Sequence, residues 1–155
     1  MENRIDIIPE DDGINHINIY SKAKTQLGLM LSNFHHFECL TDDGKFQSVE
    51  GYWYYLSIED CEEKEVLRNL YGFSAKQKGK ELLKIKNKRF DGNFETKILK
   101  AIWYKFRRNI HLLNKDNKDL PFEHYYNYQG KIVDVKDKYL WLIEGITKMR
   151  SHLLK

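Results

Sequence analysis

Glu50 is the residue of this sequence that is best placed for acid–base chemistry. It is followed almost at once by four consecutive aromatic residues in the stretch "VEGYWYYLS", residues 49–57. A carboxylate among rings is partly desolvated, and desolvation raises its pKa toward neutrality, which suits a general acid or base. The simpler interpretation is an ordinary glutamate in the first turn of a helix, where the helix dipole favours a negative charge.

The four rings, Tyr52, Trp53, Tyr54 and Tyr55, cannot all lie on one face of a helix or of a strand. One arrangement places Trp53 and Leu56 in the core and leaves Tyr52 and Tyr55 half exposed. Four rings exceed what one buried stripe needs, so we expect at least one to meet a ligand. Flat rings suit nucleobases, because stacking contributes about 1–3 kcal/mol per base, and they also suit the face of a sugar.

Two further polar groups are candidates for the same chemistry. Asn33 in "LSNF" (31–34) either caps a turn or exchanges hydrogen bonds with a ligand hydroxyl. Asp134 in "KIVDV" is either a solvated aspartate at a strand end or a second carboxylate, and glycoside hydrolysis commonly uses two. No histidine pair has the spacing of a metal site, so we interpret all six as structural or solvated: His16, His35, His36, His111, His124 and His152.

Composition predicts one globular domain over residues 1–155, with residues 1–15 as a flexible segment. The net charge of +3 is too small to indicate nucleic acid by itself. The two cysteines, Cys39 and Cys61, suit a reducing compartment rather than a disulfide framework. No apolar stretch is long enough to span a membrane, and "MENRIDIIPEDDG" lacks the apolar core of a signal peptide, so we expect a cytoplasmic protein. Abundant Lys, Asn, Ile and Tyr is typical of AT-rich phage or bacterial genomes.

The elements that position these residues are predicted to be α+β: a few short strands with helices around them. Strands are expected at 17–20, on both sides of the turn "TDDG" (41–44), and on both sides of a tight turn at Gly130 within 123–135. The helix that carries Glu50 should begin at Ser48 or Val49.

Four more helices are expected. They cover 62–72 with a stop at Gly72, a segment that Ser74 opens with a capping box to Gln77, a long helix from about Asp91, and a last helix from about Asp137. In the long helix the predicted buried stripe comprises Phe94, Ile98, Leu99, Ile102, Trp103, Phe106, Ile110 and Leu113. Its cations, which we interpret as mostly a solvated face, are Lys97, Lys100, Lys105, Arg107 and Arg108.

The order of these motifs resembles that of the NADAR, or YbiA-like, family. The family shows a strand ending in Tyr-Ser, then "SNF", an Asp-Gly hairpin, a helix beginning with Glu, a small-residue step, a long helix, and a late aromatic with an Asp. The corresponding segments are "INIYSKAKTQLGLMLSNF" (17–34), "DGKFQSVEGYWYYL" (43–56), "LYGFSAKQKGKEL" (70–82), "RFDGNFETKILKAIWYKF" (89–106) and "YYNYQGKIVD" (125–134).

This resemblance implies an N-glycosidase that cleaves a ribosyl C–N bond. The expected substrate is ADP-ribose attached to a guanine base in nucleic acid, or a related nucleotide, and no metal or redox cofactor is implied. Glu50 falls on the family's catalytic Glu, and Asp134 is the best match to its late Asp. The residues expected to bind substrate are Tyr20, Ser21, Lys22, Ser32, Asn33, Phe34, Tyr52, Trp53 and Phe90.

The sequence also departs from the family pattern, which indicates a divergent branch. Gly51 replaces a His after the catalytic Glu, Tyr54 replaces a Gln, and Ser57 replaces a Lys. A Gly-rich motif near the end is replaced by "VKDKYLWLIEG" (135–145). These departures concern the choice of substrate more than the reaction type, because the acid itself is kept.

A non-catalytic function is the alternative. A pI near 8.7, many rings and a basic helix are also typical of a module that binds single-stranded nucleic acid. A reader of ADP-ribose-type nucleotides would keep Asn33 and the rings without needing Glu50. A structural or inhibitor protein would bind neither ligand.

Overall fold

The structure is a computed structural model that describes residues 7–155. Its helices are α1 (Gln26–Leu31), α2 (Val49–Ser57), α3 (Gly72–Ile85), α4 (Phe94–Arg107) and α5 (Leu140–Leu153). Its strands are β1 (Ile17–Asn18), β2 (Cys39–Thr41), β3 (Gly44–Phe46), β4 (Phe122–Glu123), β5 (Tyr125–Tyr128) and β6 (Lys131–Asp134). Short 3-10 helices cover Pro9–Asp11, Glu63–Asn69, Ile110–Leu112 and Asp137–Tyr139. The predicted α+β class is confirmed.

The chain divides into two compact units. We call Asn33–Arg108 the central unit. We call the described residues up to Ser32 together with Asn109–Lys155 the terminal unit. The expectation of one domain over the whole chain stays a prediction.

The central unit is built from one hairpin and three helices. In the hairpin, β2 pairs antiparallel with β3, and Thr41 stands opposite Gly44. The Thr41 hydroxyl accepts a hydrogen bond from the Asp43 N–H and donates one to the Gly44 carbonyl, which closes the predicted turn. Helix α2 packs against α3, α4 and the 3-10 helix Glu63–Asn69. This packing buries Phe46, Val49, Leu56 and Leu67.

The terminal unit contains the other two strand pairs. Strand β5 pairs antiparallel with β6 through a turn in which Gln129 and Gly130 both have positive φ, as predicted for the tight turn. Strand β1 pairs in parallel with β4, a two-residue strand that the sequence did not predict. The Asn18 side chain holds β1 to β5, because it donates to the Tyr125 carbonyl and accepts from the Tyr125 N–H at 3.0 Å each.

Two helix predictions were wrong in type or extent. Residues 63–69 form a 3-10 helix, which agrees with apolar residues spaced by three at Leu67 and Leu70. Gly72 has the predicted left-handed φ of 59°. However, it opens α3 instead of ending the preceding helix, so the capping box at Ser74 is not used.

Helix α4 ends at Arg107, before Ile110, and its buried stripe is rotated from the prediction. The buried positions are Ile98, Ala101, Ile102, Lys105 and Phe106, which follow i, i+3, i+4, i+7 and i+8. Lys105 is therefore fully buried, and the expectation that it lies on a solvated face was wrong. Burial lowers its pKa to about 8.

The last helix starts later than predicted, and the flexibility expected of residues 1–15 stays a prediction. The last α-helix begins at Leu140, after a 3-10 turn at Asp137–Tyr139. Part of the expected flexible segment, residues 1–6, lies outside the described residues. Within 7–15, Pro9–Asp11 form a 3-10 turn in which the Asp11 N–H donates to the Ile8 carbonyl at 2.9 Å. No helix among residues 7–155 is long and apolar enough to cross a bilayer.

Candidate functional site

Ser48 fixes the position of Glu50 at the start of α2. The Ser48 hydroxyl accepts a hydrogen bond from the Gly51 N–H at 3.0 Å and donates one to the Leu70 carbonyl at 2.8 Å. This N-cap places Glu50 in the first turn, as predicted. The Glu50 N–H donates to the Asn33 carbonyl at 2.9 Å, so the backbones of these two predicted site residues are in direct contact.

The Glu50 carboxyl is half-buried, and burial raises its pKa to about 7. The positive charges of Lys76 and Lys80 on α3 act in the opposite direction but do not outweigh burial. At neutral pH the group is therefore present in both protonation states. It can accept a proton from water or donate one to a leaving group.

The rings of α2 are divided between two faces, and two of them are structural. Tyr52 is 1% exposed, and its hydroxyl donates to Asp43 Oδ2 at 2.7 Å. Tyr55 is also buried, and both rings pack against Phe46. The arrangement with Tyr52 and Tyr55 half exposed is therefore not the one adopted, and Tyr52, expected to bind substrate, is enclosed in the core instead of offering a face to a ligand. Val49, Tyr52 and Tyr55, at a spacing of three, share the buried face of α2.

Trp53 and Tyr54 lie three and four residues after Glu50 and therefore share its side of the helix. Both are half-buried. Trp53 meets Phe94 edge-on, with 4.9 Å between ring centroids. Tyr54 packs over Gly79 of α3, so closely that a Cβ at Gly79 would overlap the Tyr54 ring.

Gly79 explains how α3 brings its cations to the site. The absence of a side chain at Gly79 lets α3 approach the Tyr54 ring, and Lys76 and Lys80 flank this point of contact. Sequence reasoning missed both lysines. The available signal was the pair of small residues Ala75 and Gly79, four apart, which mark the buried face of α3.

Phe34 is held through its own backbone, and Phe90 through that of the preceding residue. The Phe34 carbonyl accepts the Gly72 N–H at 3.1 Å, at the start of α3. The Arg89 N–H donates to the Ser57 carbonyl at 3.0 Å, which ties the chain before Phe90 to the C-terminal end of α2. The Phe90 side chain is 97% exposed. It is thus an accessible ring on a fixed backbone.

The other predicted site residues belong to the terminal unit. The buried Asp12 carboxylate accepts the N–H groups of Asn18 and Lys24 at 2.9 and 3.0 Å, which shapes the loop that contains Ser21 and Lys22. The buried Tyr20 ring lies 5.7 Å from that of Tyr126. Ser32 is buried and follows α1 as its C-cap.

Asp134 lies at the end of β6 and is half-buried. Its Oδ1 accepts the Lys136 N–H at 3.0 Å, a bond to the backbone two residues further on. Two histidines of the terminal unit are also structural. His16 is hydrogen-bonded to the Tyr125 hydroxyl, and His124 Nδ1 to the Ile19 carbonyl. Within residues 7–155, no three His, Cys, Asp or Glu side chains are grouped so that they could hold a metal ion.

Comparison with known proteins establishes the fold. No protein-family model and no curated protein sequence matches this chain. Among solved structures, the chain is similar to the NMR structure of the E. coli protein YbiA, with a TM-score of 0.63 and 18% identity. The match covers 96% of this chain and 94% of that one. The YbiA-like fold that the motif order implied is therefore present.

Proposed function

We propose that this protein is an N-glycosidase that hydrolyses a ribosyl C–N bond and releases ADP-ribose from a guanine base or a related nucleotide. The observation that carries this proposal is the half-buried Glu50 carboxyl, whose pKa of about 7 matches the pH at which it would work. Its position in a chain with a YbiA-like fold supports the same reaction class.

The reaction requires the protein to stabilise a positive sugar, to deprotonate the attacking water and to provide a proton for the leaving base. Cleavage of the C–N bond builds positive oxocarbenium character on the sugar and leaves the electron pair of the bond on the base nitrogen. The ionised Glu50 stabilises the positive sugar and accepts a proton from the water that attacks the anomeric carbon. Glu50 then passes this proton to the base nitrogen, which holds the electron pair of the broken bond, so the products are the free ribosyl hydroxyl and the protonated base.

The remaining residues have binding roles in this proposal. Asn33, whose carbonyl accepts the Glu50 N–H, holds ribose hydroxyls. Phe34, the next residue, contacts the same ribose. Trp53 and Phe90 supply flat faces for the adenine or the target base. Ser21 and Lys22 contact the diphosphate, since a cation and loop amides favour anions. Asp134 provides the second carboxylate.

The test is release of ADP-ribose from a guanine-ADP-ribosylated oligonucleotide, measured by chromatography. Because general acid–base catalysis typically contributes about 10²–10⁴-fold, Glu50→Gln should lower the rate by that factor. Glu95→Gln is the matched control, since Glu95 is also the second residue of a helix but is exposed. It should react like wild type, and normal turnover by Glu50→Gln would refute the assigned role.

The pH dependence of the rate gives a second readout. If the ionised form of Glu50 acts, the rate should rise with pH and reach its midpoint near the Glu50 pKa of about 7. If the protonated form acts, the rate should fall through the same region. A reader of ADP-ribose without catalytic activity would bind the nucleotide in calorimetry and show no turnover at any pH.

A further inference from the structure

The positive charge of this protein is concentrated in one segment. Residues 72–89 contain seven Lys and Arg side chains and one acidic residue, Glu81. The whole chain has a net charge of only +3, so the remainder of the chain is net acidic by three charges. Most of this basic segment is α3, which packs against α2.

Four residues of α3 form a single column, which we call the α3 stripe: the half-buried Lys76 and the exposed Phe73, Lys80 and Lys84. Their spacing of three, four and four places them on one side of the helix, next to the buried face of Ala75, Gly79 and Leu82 that packs on α2. Phe73 is 68% exposed at the N-terminal end of the column. The stripe therefore presents one ring followed by three cations, about one helical turn apart.

The cations of the stripe differ from three lysines of α4, whereas Arg107 and Arg108 at the end of α4 lie over the rings of Trp103 and Tyr104. Lys97 is paired with Asp91 and Lys100 with Asp42, both at 2.8 Å, and Lys105 is buried. Within the described part of the chain, no ion pair of this kind joins Lys80 or Lys84 to a carboxylate. Uncompensated lysines in a column favour an extended polyanion.

A second set of rings adjoins the stripe at its N-terminal end. His36 and Tyr71 are stacked in parallel, with 4.0 Å between ring centroids and 1° between planes. Tyr71 is the N-cap residue of α3 and is 47% exposed. Stacked or exposed rings beside a row of lysines are typical of single-strand binding, because unpaired bases stack on rings while the phosphates meet cations.

We propose that the α3 stripe, with Tyr71, binds single-stranded nucleic acid. Lys76 and Lys80 also act electrostatically on Glu50, so a strand on the stripe passes beside the candidate acid. The further statement that this strand carries the scissile base rests on the proposed function.

Two other polyanionic surfaces fit the stripe less well. A duplex hides its base faces and leaves Phe73 and Tyr71 without stacking partners. A helix that lies in a membrane interface needs an exposed apolar face. The apolar face of α3 is already packed, with Gly79 against Tyr54.

The test measures binding of the full chain to a single-stranded oligonucleotide of mixed sequence that carries a fluorescent label and no ADP-ribose. Binding is measured by fluorescence polarisation over a series of salt concentrations. The Glu50→Gln protein is used so that turnover plays no part. Each phosphate contact on a single strand contributes about 0.7 to the slope of log affinity against log salt. The triple variant Lys76→Gln, Lys80→Gln and Lys84→Gln should therefore lower the slope by about 2.

The matched control removes three exposed lysines of the terminal unit, Lys115, Lys118 and Lys148, each changed to Gln. It has the same net charge as the triple variant of the stripe and should keep the original slope. Phe73→Ala should weaken binding about 5-fold or more, since one stacked base is worth at least about 1 kcal/mol. Tyr128→Ala, which removes an exposed ring of the terminal unit, should leave affinity unchanged.

Equal slopes for the two triple variants would overturn the proposal, as would tighter binding to the duplex form. Binding to anionic vesicles through the same lysines, without strand binding, would also overturn it. The experiments can refute the α3 stripe and the glycosidase activity independently of each other. Strand binding through the stripe without ADP-ribose release would refute the glycosidase and leave the stripe standing. Release of ADP-ribose without strand binding would refute the stripe and leave the glycosidase standing.

Discussion

Helices α2 and α4 begin alike and acquire different chemistry. Each opens with an apolar residue followed by a glutamate, Val49 and Glu50 in α2, Phe94 and Glu95 in α4. Glu95 is exposed, whereas Glu50 is half-buried and has a pKa raised to about 7. The helix dipole acts on both positions and favours the ionised form in each. The difference must therefore come from what packs over the helix start, not from the helix itself.

The covering element is α3, and its approach depends on one missing side chain. Gly79 allows α3 to pack on Tyr54, and this packing removes water from the side of α2 that carries Glu50. The lysines that come with α3 reduce the upward shift of the pKa without abolishing it. Burial and nearby cations together leave the carboxyl able to exchange a proton near neutral pH.

The largest expected effect is on the pH dependence of stability. The Glu50 carboxyl has a pKa of about 7 in the fold, against an ordinary value of 4.5. Between these values the folded state binds more protons than the unfolded state, so wild-type stability falls as pH rises. Glu50→Gln removes this loss. It should be more stable than wild type by up to about 3 kcal/mol at pH 8, and by less than about 1 kcal/mol near pH 4.5.

Urea unfolding of both proteins at the two pH values measures this difference. The figure is an upper bound because the side chain keeps some contact with solvent. Glu95→Gln should show no gain at high pH and should lose about 0.3–1 kcal/mol of dipole stabilisation at most. Equal stability of wild type and Glu50→Gln at pH 8 would mean that burial does not raise the pKa of Glu50, and that the starts of α2 and α4 do not differ in this respect.

The next effect concerns the contact that makes α2 different. A Cβ at Gly79 overlaps the Tyr54 ring, so Gly79→Ala should destabilise the fold by about 1–3 kcal/mol through overpacking. In a Tyr54→Ala background the same change should instead stabilise the protein by about 0.5–1 kcal/mol, because alanine is the better helix former. Thermal and urea unfolding of the four proteins would show this reversal of sign.

Gly92→Ala is the control for that series, since a Cβ at Gly92 meets nothing within 4 Å. It should change stability by about 0.5 kcal/mol or less. If Gly79→Ala cost the same with and without the Tyr54 ring, the close approach of α3 to α2 would not be the cause.

The elements set by local chemistry could be predicted from the sequence. The Ser48 cap, the turn before Gly44 and the Gly130 turn each depend on residues within a few positions, and all three are present. Glu50 could be placed in a first turn for the same reason. Strand β4 could not be predicted, because its two residues pair with β1 more than a hundred positions earlier.

The site itself was predictable only in part. The rotation of α2, which buries Tyr52 and not Trp53, depends on the packing of Phe46 and on the hydrogen bond to Asp43. Lys105 was assigned to a solvated face because charged side chains are rarely fully buried. The lysines beside Glu50 come from α3, and their position follows from tertiary packing that a local pattern does not contain.

The smallest expected effect separates the caps of the two helices. Ser48 caps α2 through its hydroxyl, whereas Asn93 at the start of α4 makes no side-chain cap bond. Ser48→Ala should therefore cost about 1 kcal/mol, and Asn93→Ala should be nearly neutral. Because the cap bond to the Gly51 N–H holds the first turn of α2, where Glu50 lies, Ser48→Ala should also move the carboxyl of Glu50. Carbon-detected NMR titration should then give a pKa closer to 4.5, its ordinary value. An unchanged titration of Glu50 in Ser48→Ala would show that the contact with α3 alone holds the carboxyl in place, and that the cap contributes only to stability.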